Sequence, residues 1–230
     1  RPWNSRPSGY NVEAMDPIVV ARWRALCLVM LGAFLGMSVV IYAIGLLPGD
    51  GSLHREVLLA RGTLAHAIAR WTNHGGRWEF LGPAMIVLLL WSPIARRRWW
   101  LWCGTLLLSG AVEQLFKLLV GRPRPRGVNW GFPSGPVTAV ATFVVLMLYV
   151  LSRERVSPAA RLALLAVSIV LVGSVGYARI ILNAHWPSDV LGGVFLGGGC
   201  AAAAAWWDAA HPADHPRTRT AAPDIVRIGG

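Results

Sequence analysis

Apolar residues gather in six long runs, 23–47, 78–95, 99–120, 136–152, 161–182 and 190–207. A helix that crosses the hydrocarbon layer of a bilayer needs about 20 mostly apolar residues, so each run predicts one membrane-crossing helix. The second run is the shortest and contains Pro83, which leaves its ends poorly defined. The stretch 50–74 is patterned differently. Leu53, Val57, Leu64, Ile68 and Trp71 recur at helical spacing, while Arg55, Glu56, Arg61 and Arg70 interrupt the apolar run. This predicts an amphipathic helix, either lying in the membrane interface or packed against the outside of the bundle. Residues 1–16 and 208–230 are rich in Pro, Gly, Ser, Arg and Asp without periodicity and read as flexible tails. The domain between them, 17–207, is expected to be an all-α integral membrane bundle of about six transmembrane helices. Met15 is a candidate natural start, and the first run is too long for a cleaved signal and reads as a retained span.

Composition supports this reading. Hydrophobic residues make up 55% of the chain and charged residues only 14%, against roughly 25% charged in a soluble domain. So little charge cannot cover a water-soluble globule of this size, and so many apolar and aromatic residues exclude disorder. The net charge of +11 would suggest nucleic acid in a soluble protein. In a membrane protein it is better explained by arginines flanking spans on the cytoplasmic side, and no nucleic-acid partner is expected. Arg22 and Arg24, Arg96–Arg98, Arg153, Arg155 and Arg161, and Arg217, Arg219 and Arg227 all fall on one side when six spans alternate. That side is the expected cytoplasmic face of the inner membrane and holds both termini. Trp99, Trp100, Trp206 and Trp207 fit interfacial belts. Cys27, Cys103 and Cys200 lie in apolar runs without metal or redox spacing and read as small buried hydrophobes.

Three polar clusters fall on the opposite, extracytoplasmic side. In the first, Lys117, the only lysine, precedes Arg122, Arg124 and Arg126. Charges that oppose the topology are functional candidates, although Arg122 and Arg126 alone read equally as a solvated loop. The second cluster is Pro133-Ser134-Gly135-Pro136, just before the fourth span. Such a turn offers backbone N–H groups to an anion, or uses Ser134 simply as an N-cap. The third holds Arg179, His185 and Asp189, with the carboxylate four residues from the imidazole it would orient. Together they describe a phosphate site. Lys117, Arg124 and Arg179 would neutralise phosphoryl oxygens, Ser134 and Gly135 would cradle another, and His185 would attack phosphorus with Asp189 behind it. Asp50, Glu56 and Glu79 are scattered, so no metal site or other cofactor is expected. Glu113, four residues before Lys117, is placed to steady it. Gly193 and Gly197 give a small-xxx-small spacing for close helix packing.

The spacing resembles the type 2 phosphatidic acid phosphatase superfamily of membrane lipid phosphatases. Its first signature, Lys, six residues, Arg-Pro, is met by Lys117 and Arg124-Pro125. Its third, Ser-Arg, five residues, His, three residues, Asp, is met by Arg179, His185 and Asp189, with Ala178 in place of Ser. The second, Pro-Ser-Gly-His, reads Pro133-Ser134-Gly135-Pro136. The resemblance spans roughly 20–207. It implies a metal-independent phosphatase with a phosphohistidine at His185, oriented by Asp189, and phosphate bound by Lys117, Arg124, Ser134, Gly135 and Arg179. The histidine that the family uses to protonate the leaving group is Pro136 here, which has neither a side-chain donor nor an N–H. His74 is a candidate replacement. A weakly basic leaving group needs a proton less, so a lipid diphosphate such as a polyprenyl diphosphate is the expected substrate ahead of a lipid monophosphate. Transfer to another lipid or sugar acceptor, and lipid-phosphate binding without turnover, are the alternatives.

Overall fold

The computed structural model describes residues 16–211 apart from Arg155. Most of the expected tails therefore lies outside the described residues, as do Met15, Arg217, Arg219 and Arg227. The elements in chain order are α1 (Pro17–Ile44), α2 (Asp50–Leu59), α3 (Leu64–Thr72), a 3-10 turn (Asn73–Gly76), α4 (Trp78–Trp91), α5 (Pro93–Arg97), α6 (Trp99–Val120), strands β1 (Pro123–Arg124) and β2 (Gly127–Trp130), α7 (Gly135–Arg153), α8 (Pro158–Ile181) and α9 (Pro187–Ala210).

Five helices, α1 and α6 to α9, are long and apolar enough to cross a membrane. The run expected over 78–95 is cut in two. Its α4 has 14 residues, about 21 Å, and ends where Pro93 forces Ser92 out of helical geometry. The Ser92 hydroxyl then caps α5 by accepting from the Ala95 N–H. Of the other helices, α6 coincides with its run, α7 and α9 extend theirs at both ends, and α1 and α8 begin earlier but stop just short of the expected ends. Asp16 caps α1 ahead of Pro17 and Ser157 caps α8 ahead of Pro158, each placing proline in the first turn, where its missing N–H costs nothing. The sixth run continues to Ala210, beyond the expected boundary at 207, because Asp208 is buried and paired with Arg98 and Arg153.

The amphipathic stretch 50–74 is two helices rather than one. The chain turns at Gly62, whose φ of 82° is readily adopted only without a side chain, and Arg61 donates to the Ile181 carbonyl at 3.0 Å. One face of α2 and α3 packs on α8 and on the start of α9, burying Asp50, His54 and Ala69. The other leaves Leu59, Leu64 and Trp71 exposed.

α7 is the most enclosed of the five long helices and packs along α9, which is flanked in turn by α1. Glycine makes the α7–α9 approach possible. A Cβ on Gly197 would sit 2.3 Å from the Thr138 carbonyl oxygen, and one on Gly193 would sit 2.8 Å from the Ser134 carbonyl oxygen. Around this core, α1, α4, α6 and α8 turn Val29, Val39, Val87, Leu107 and Ile169 outward. A contiguous exposed apolar belt of this kind faces lipid, not water.

The loops sort to two ends. One carries Arg96–Arg98, Arg153 and Asp208. The other gathers the C-termini of α6 and α8, the N-termini of α7 and α9, the β-hairpin and α2.

The glycine contacts give a stability test. Gly197→Ala drives a methyl into backbone and is expected to cost about 1–3 kcal/mol, read as a lowered Tm in detergent. Gly36→Ala on α1, where a Cβ meets nothing within 4 Å, is expected to be neutral or slightly stabilising.

Candidate active site

Four chain segments converge at the loop-rich end. The C-terminal turn of α6 supplies Lys117, buried at the helix end and ion-paired with Glu113 one turn earlier. Glu113 thus supports the lysine as expected. Its Oε1 also lies against the start of α7, 2.7 Å from where a Cβ on Gly135 would stand. Gly135 is therefore the residue that lets the Lys117–Glu113 pair approach the helix N-terminus.

Gly121, left-handed at φ 62°, ends α6 and turns the chain into the hairpin. Pro123 and Arg124 pair antiparallel with 127–130, and Arg124 Nε donates to the Trp130 carbonyl at 3.2 Å. The Gly131 N–H closes the loop on the Arg122 carbonyl at 2.6 Å.

Ser134 occupies the N-cap position of α7, but its side chain makes no capping bond. The hydroxyl is fully buried and has no partner. Its backbone N–H donates to the Asp189 carbonyl at 2.9 Å, fastening the second motif to the third.

The turn after α8 folds back on itself. Asn183 is left-handed at φ 59°, and the N–H groups of Ala184 and His185 both donate to the Arg179 carbonyl, at 3.0 and 3.1 Å. That closure brings the arginine and the histidine together across six residues. Arg179 Nη1 donates to Asn73 Oδ1 at 2.7 Å, while its Nε is buried without a partner.

His185 is 1% exposed, and neither ring nitrogen has a hydrogen-bond partner. Its Nδ1 lies 3.4 Å from Asp189 Oδ2, a separation longer than a well-formed hydrogen bond; such contacts commonly tighten when substrate binds. Asp189 is the third residue of α9, where its Oδ2 caps the helix by accepting from the Trp186 N–H at 2.8 Å. The four-residue spacing of His185 and Asp189 thus arises from a loop and a capping box, not from one helix face. Burial lowers the His185 pKa from 6.5 to about 4; Asp189 opposes the shift, and the charges of Arg179 and Arg124 add to it. The ring is neutral at physiological pH.

Lys117, Arg124, Ser134, Gly135, Arg179, His185 and Asp189 all stand at this end of the bundle. The unpartnered Ser134 hydroxyl, Arg179 Nε and His185 ring, with Lys117 and Arg124 at the same end, are the donor types and charges that suit a tetrahedral oxyanion. Among the described residues no group of three His, Cys, Asp or Glu side chains gathers to hold a metal ion.

These features match a known family: the model of the PAP2 superfamily fits residues 98–212. The chain belongs to the PAP2 superfamily. Decaprenylphosphoryl-5-phosphoribose phosphatase of Mycobacterium tuberculosis is 34% identical over 145 residues, covering 57% of this chain and 73% of the relative. Phosphatidylglycerophosphatase B of Bacillus subtilis is 25% identical over 174 residues, covering 71% and 85%. Lipid A 1-phosphatase of Rhizobium etli is 31% identical over 110 residues, covering 41% and 43%. The crystal structure of a transmembrane PAP2-type phosphatidylglycerolphosphate phosphatase from Bacillus subtilis shares the fold at a TM-score of 0.70, with 21% identity over 80% of this chain and 96% of the other. This PAP2 chain is accordingly an all-α, multi-pass membrane protein.

Sequence reasoning missed several partners. Asp50, set aside as scattered, is buried and accepts from Arg122, the Ser188 hydroxyl and the Ser188 N–H. Arg122, which also reads as a loop residue, is 4% exposed. Asn73 binds Arg179. Asp50 and Asn73 lie upstream of the family-matched segment, and no spacing rule joins them to it. Beside Pro136, the 3-10 turn packs so closely that a Cβ on Gly76 would lie 2.3 Å from the Pro136 carbonyl oxygen. His74 rides on this turn, exposed, with its ring 3.5 Å from Arg77 Nη1.

A binding test follows. Inorganic phosphate is expected to raise the Tm of the wild type by mass action. Ser134→Ala and Arg179→Gln should each weaken that stabilisation about tenfold in apparent Kd, measured by thermal shift against phosphate concentration.

Proposed function

We propose that the chain is a membrane lipid phosphatase that releases phosphate from a lipid phosphate, and preferentially from a lipid diphosphate such as a polyprenyl diphosphate. The reaction runs through a phosphohistidine at His185 and uses no metal. The single observation that carries this reading is the buried, neutral imidazole of His185 beside Asp189, with no hydrogen-bond partner on either ring nitrogen, at the same end of the bundle as two unpartnered donors, the Ser134 hydroxyl and Arg179 Nε. The names of these relatives, all phosphatases of lipid or lipid-linked phosphates, support the substrate class.

In the first half-reaction His185 Nε2 attacks phosphorus, the bond from phosphorus to the lipid oxygen breaks, and the electron pair leaves on that oxygen. Asp189 faces Nδ1 and stabilises the positive charge that develops on the ring. Lys117, Arg124 and Arg179 hold the non-bridging oxygens together with the Ser134 hydroxyl and the Gly135 N–H. Water then attacks the phosphohistidine, releasing inorganic phosphate and restoring the imidazole. With proline at 136 the leaving oxygen receives no proton from that position. A departing phosphate tolerates this far better than a lipid alkoxide, which is the basis of the diphosphate preference.

The arginine-bearing end of the bundle is assigned to the cytoplasm by the positive-inside tendency. With α4–α5 as a sixth pass, the site faces the extracytoplasmic side of the inner membrane and both termini are cytoplasmic. Pro136 also favours a second reading, a member that binds lipid phosphate without turnover.

A panel of lipid mono- and diphosphates, assayed for phosphate release in the presence of EDTA, separates these readings. Release from the diphosphates is expected to be fastest and to fall about 10⁴-fold or more in His185→Ala. A preference for monophosphates would remove the leaving-group explanation, and no release from any lipid would favour the binding protein. The pH dependence has a definite sign. His185 must be unprotonated to attack, and its pKa is lowered to about 4. The acid limb of kcat/KM is therefore expected well below pH 6.5, with activity held as pH falls to about 6 and lost only as it approaches the lowered value.

A further inference from the structure

Arg122 lies outside the phosphate-binding set and is the most thoroughly engaged cation among the described residues. Its Nη1 donates to Asp189 Oδ1 at 2.8 Å and to the Ser188 hydroxyl at 2.6 Å, and its Nη2 donates to Asp50 Oδ2 at 2.6 Å. Asp50 in turn accepts from the Ser188 hydroxyl at 2.6 Å, the Ser188 N–H at 2.9 Å and the Leu47 N–H at 3.1 Å. All four side chains are buried, and the Arg122 guanidinium lies 5.8 Å from the centre of the Trp186 ring. Only its Nε is left without a partner, and that atom is buried; both terminal nitrogens, the pair that would grip a phosphate, are taken by two carboxylates and a hydroxyl.

We propose that Arg122 is a positioning residue that sets both the orientation and the effective charge of Asp189, and that Asp50 at the start of α2 holds Arg122 for that task. This rests on the phosphohistidine reading of His185. The two carboxylate oxygens of Asp189 are divided: Oδ1 is bound by Arg122, and Oδ2 is left for the Trp186 N–H and His185. Fixing Oδ1 fixes the plane of the carboxylate and so the oxygen that His185 meets. Arg122 also shares the negative charge of Asp189, which keeps the carboxylate from stabilising a protonated imidazole too strongly. The charged groups facing His185 are Asp189 from α9, Arg179 from α8 and Arg124 from β1. Arg122 and Asp50 act only through Asp189.

The consequence has a sign. Without Arg122, Asp189 presents its full charge to His185, imidazolium is favoured, and the histidine titrates at higher pH. A purely structural arginine would lower activity equally at all pH values.

The experiment compares the wild type, Arg122→Lys, Arg122→Gln and the double variant Asp50→Asn/Arg122→Gln. Ring titration of His185 by NMR and the pH profile of kcat/KM on a lipid diphosphate are measured for each. Arg122→Gln is expected to lower kcat/KM about 10–100-fold and to move both the ring titration and the acid limb up by about one pH unit. Arg122→Lys, which keeps the charge, should stay near the wild-type titration. The double variant relieves the unpaired Asp50 and folds where the single one is unstable, yet it should keep the raised titration, because Asp189 is still uncompensated. A titration that stays at the wild-type value in Arg122→Gln or in the double variant overturns the proposal, as does full recovery of kcat/KM in the double variant. A shifted titration in a protein that releases no phosphate from any lipid sustains the coupling and rejects the phosphatase reading instead.

Discussion

A carboxylate with no solvent exposure must be matched by donors on both oxygens, because an ion withdrawn from water without partners costs several kcal/mol. Asp189 is in that position, and the way its needs are met determines the rest of the site. Oδ1 takes Arg122 from the α6–β1 connection, Oδ2 takes the Trp186 N–H and faces His185, and the backbone carbonyl takes the Ser134 N–H from the start of α7. Three separate motifs are thereby registered on one residue. The glycines follow from the same demand. Gly131 leaves room beside Oδ2, where a Cβ would lie 3.1 Å away, while Gly193 and Gly197 let α7 and α9 run close enough for Ser134 to reach the first turn of α9.

Elements upstream of the family-matched segment complete this arrangement. α2 brings Asp50 to the buried Arg122, and the 3-10 turn brings Asn73 to the half-buried Arg179, so each guanidinium finds an oxygen from a segment that is neither strand nor transmembrane helix. Hydrogen bonds to Arg122 and Ser188 hold the Asp50 pKa below its usual value against the opposing effect of burial, so the aspartate stays ionised beside Arg122. α2 also places His54 on the loop after α8, with Nε2 2.6 Å from Asn183 Oδ1 and its ring 4.9 Å from that of Trp186. The segment that exposes Leu59, Leu64 and Trp71 is therefore the one clamped to the turn that presents His185. A helix pair with an exposed apolar face and the loop that carries His185 share their contacts.

Much of this was legible in the sequence. Long apolar runs located α1 and α6 to α9, since a span must satisfy its own backbone and advertises itself by length alone. Lys117, Arg124, Ser134, Gly135, Arg179, His185 and Asp189 stood out because polar residues at the wrong side of a topology need a reason. The failures have equally local causes. The break at Ser92-Pro93 shortened α4, and Gly62 split α2 from α3, where apolar periodicity continued across both. Asp50 and Asn73 could not be found, because Asp50 depends on partners 72 and 138 residues away and Asn73 on one 106 residues away, which no periodicity links to them. Arg122 sat in full view, but a basic loop residue and a buried, doubly paired guanidinium have the same spelling.

Under the proposed chemistry, Pro136 affects the electrostatics of the site as well as its supply of protons. At the second position of α7 its ring is easily accommodated, since that N–H has no helical partner. The same N–H would otherwise have been one of the free donors that make a helix N-terminus an anion site. In the proposed site the proline therefore supplies neither a backbone donor nor a side-chain proton, and anion binding would fall to Gly135, the Ser134 hydroxyl and the three cations. A pocket rich in fixed positive charge and poor in acids stabilises negative charge without transferring a proton. In the proposed reaction that favours a leaving group able to depart as an anion, and under this chemistry the substitution at 136 acts as a specificity device, selecting by leaving-group basicity rather than by the shape of the lipid.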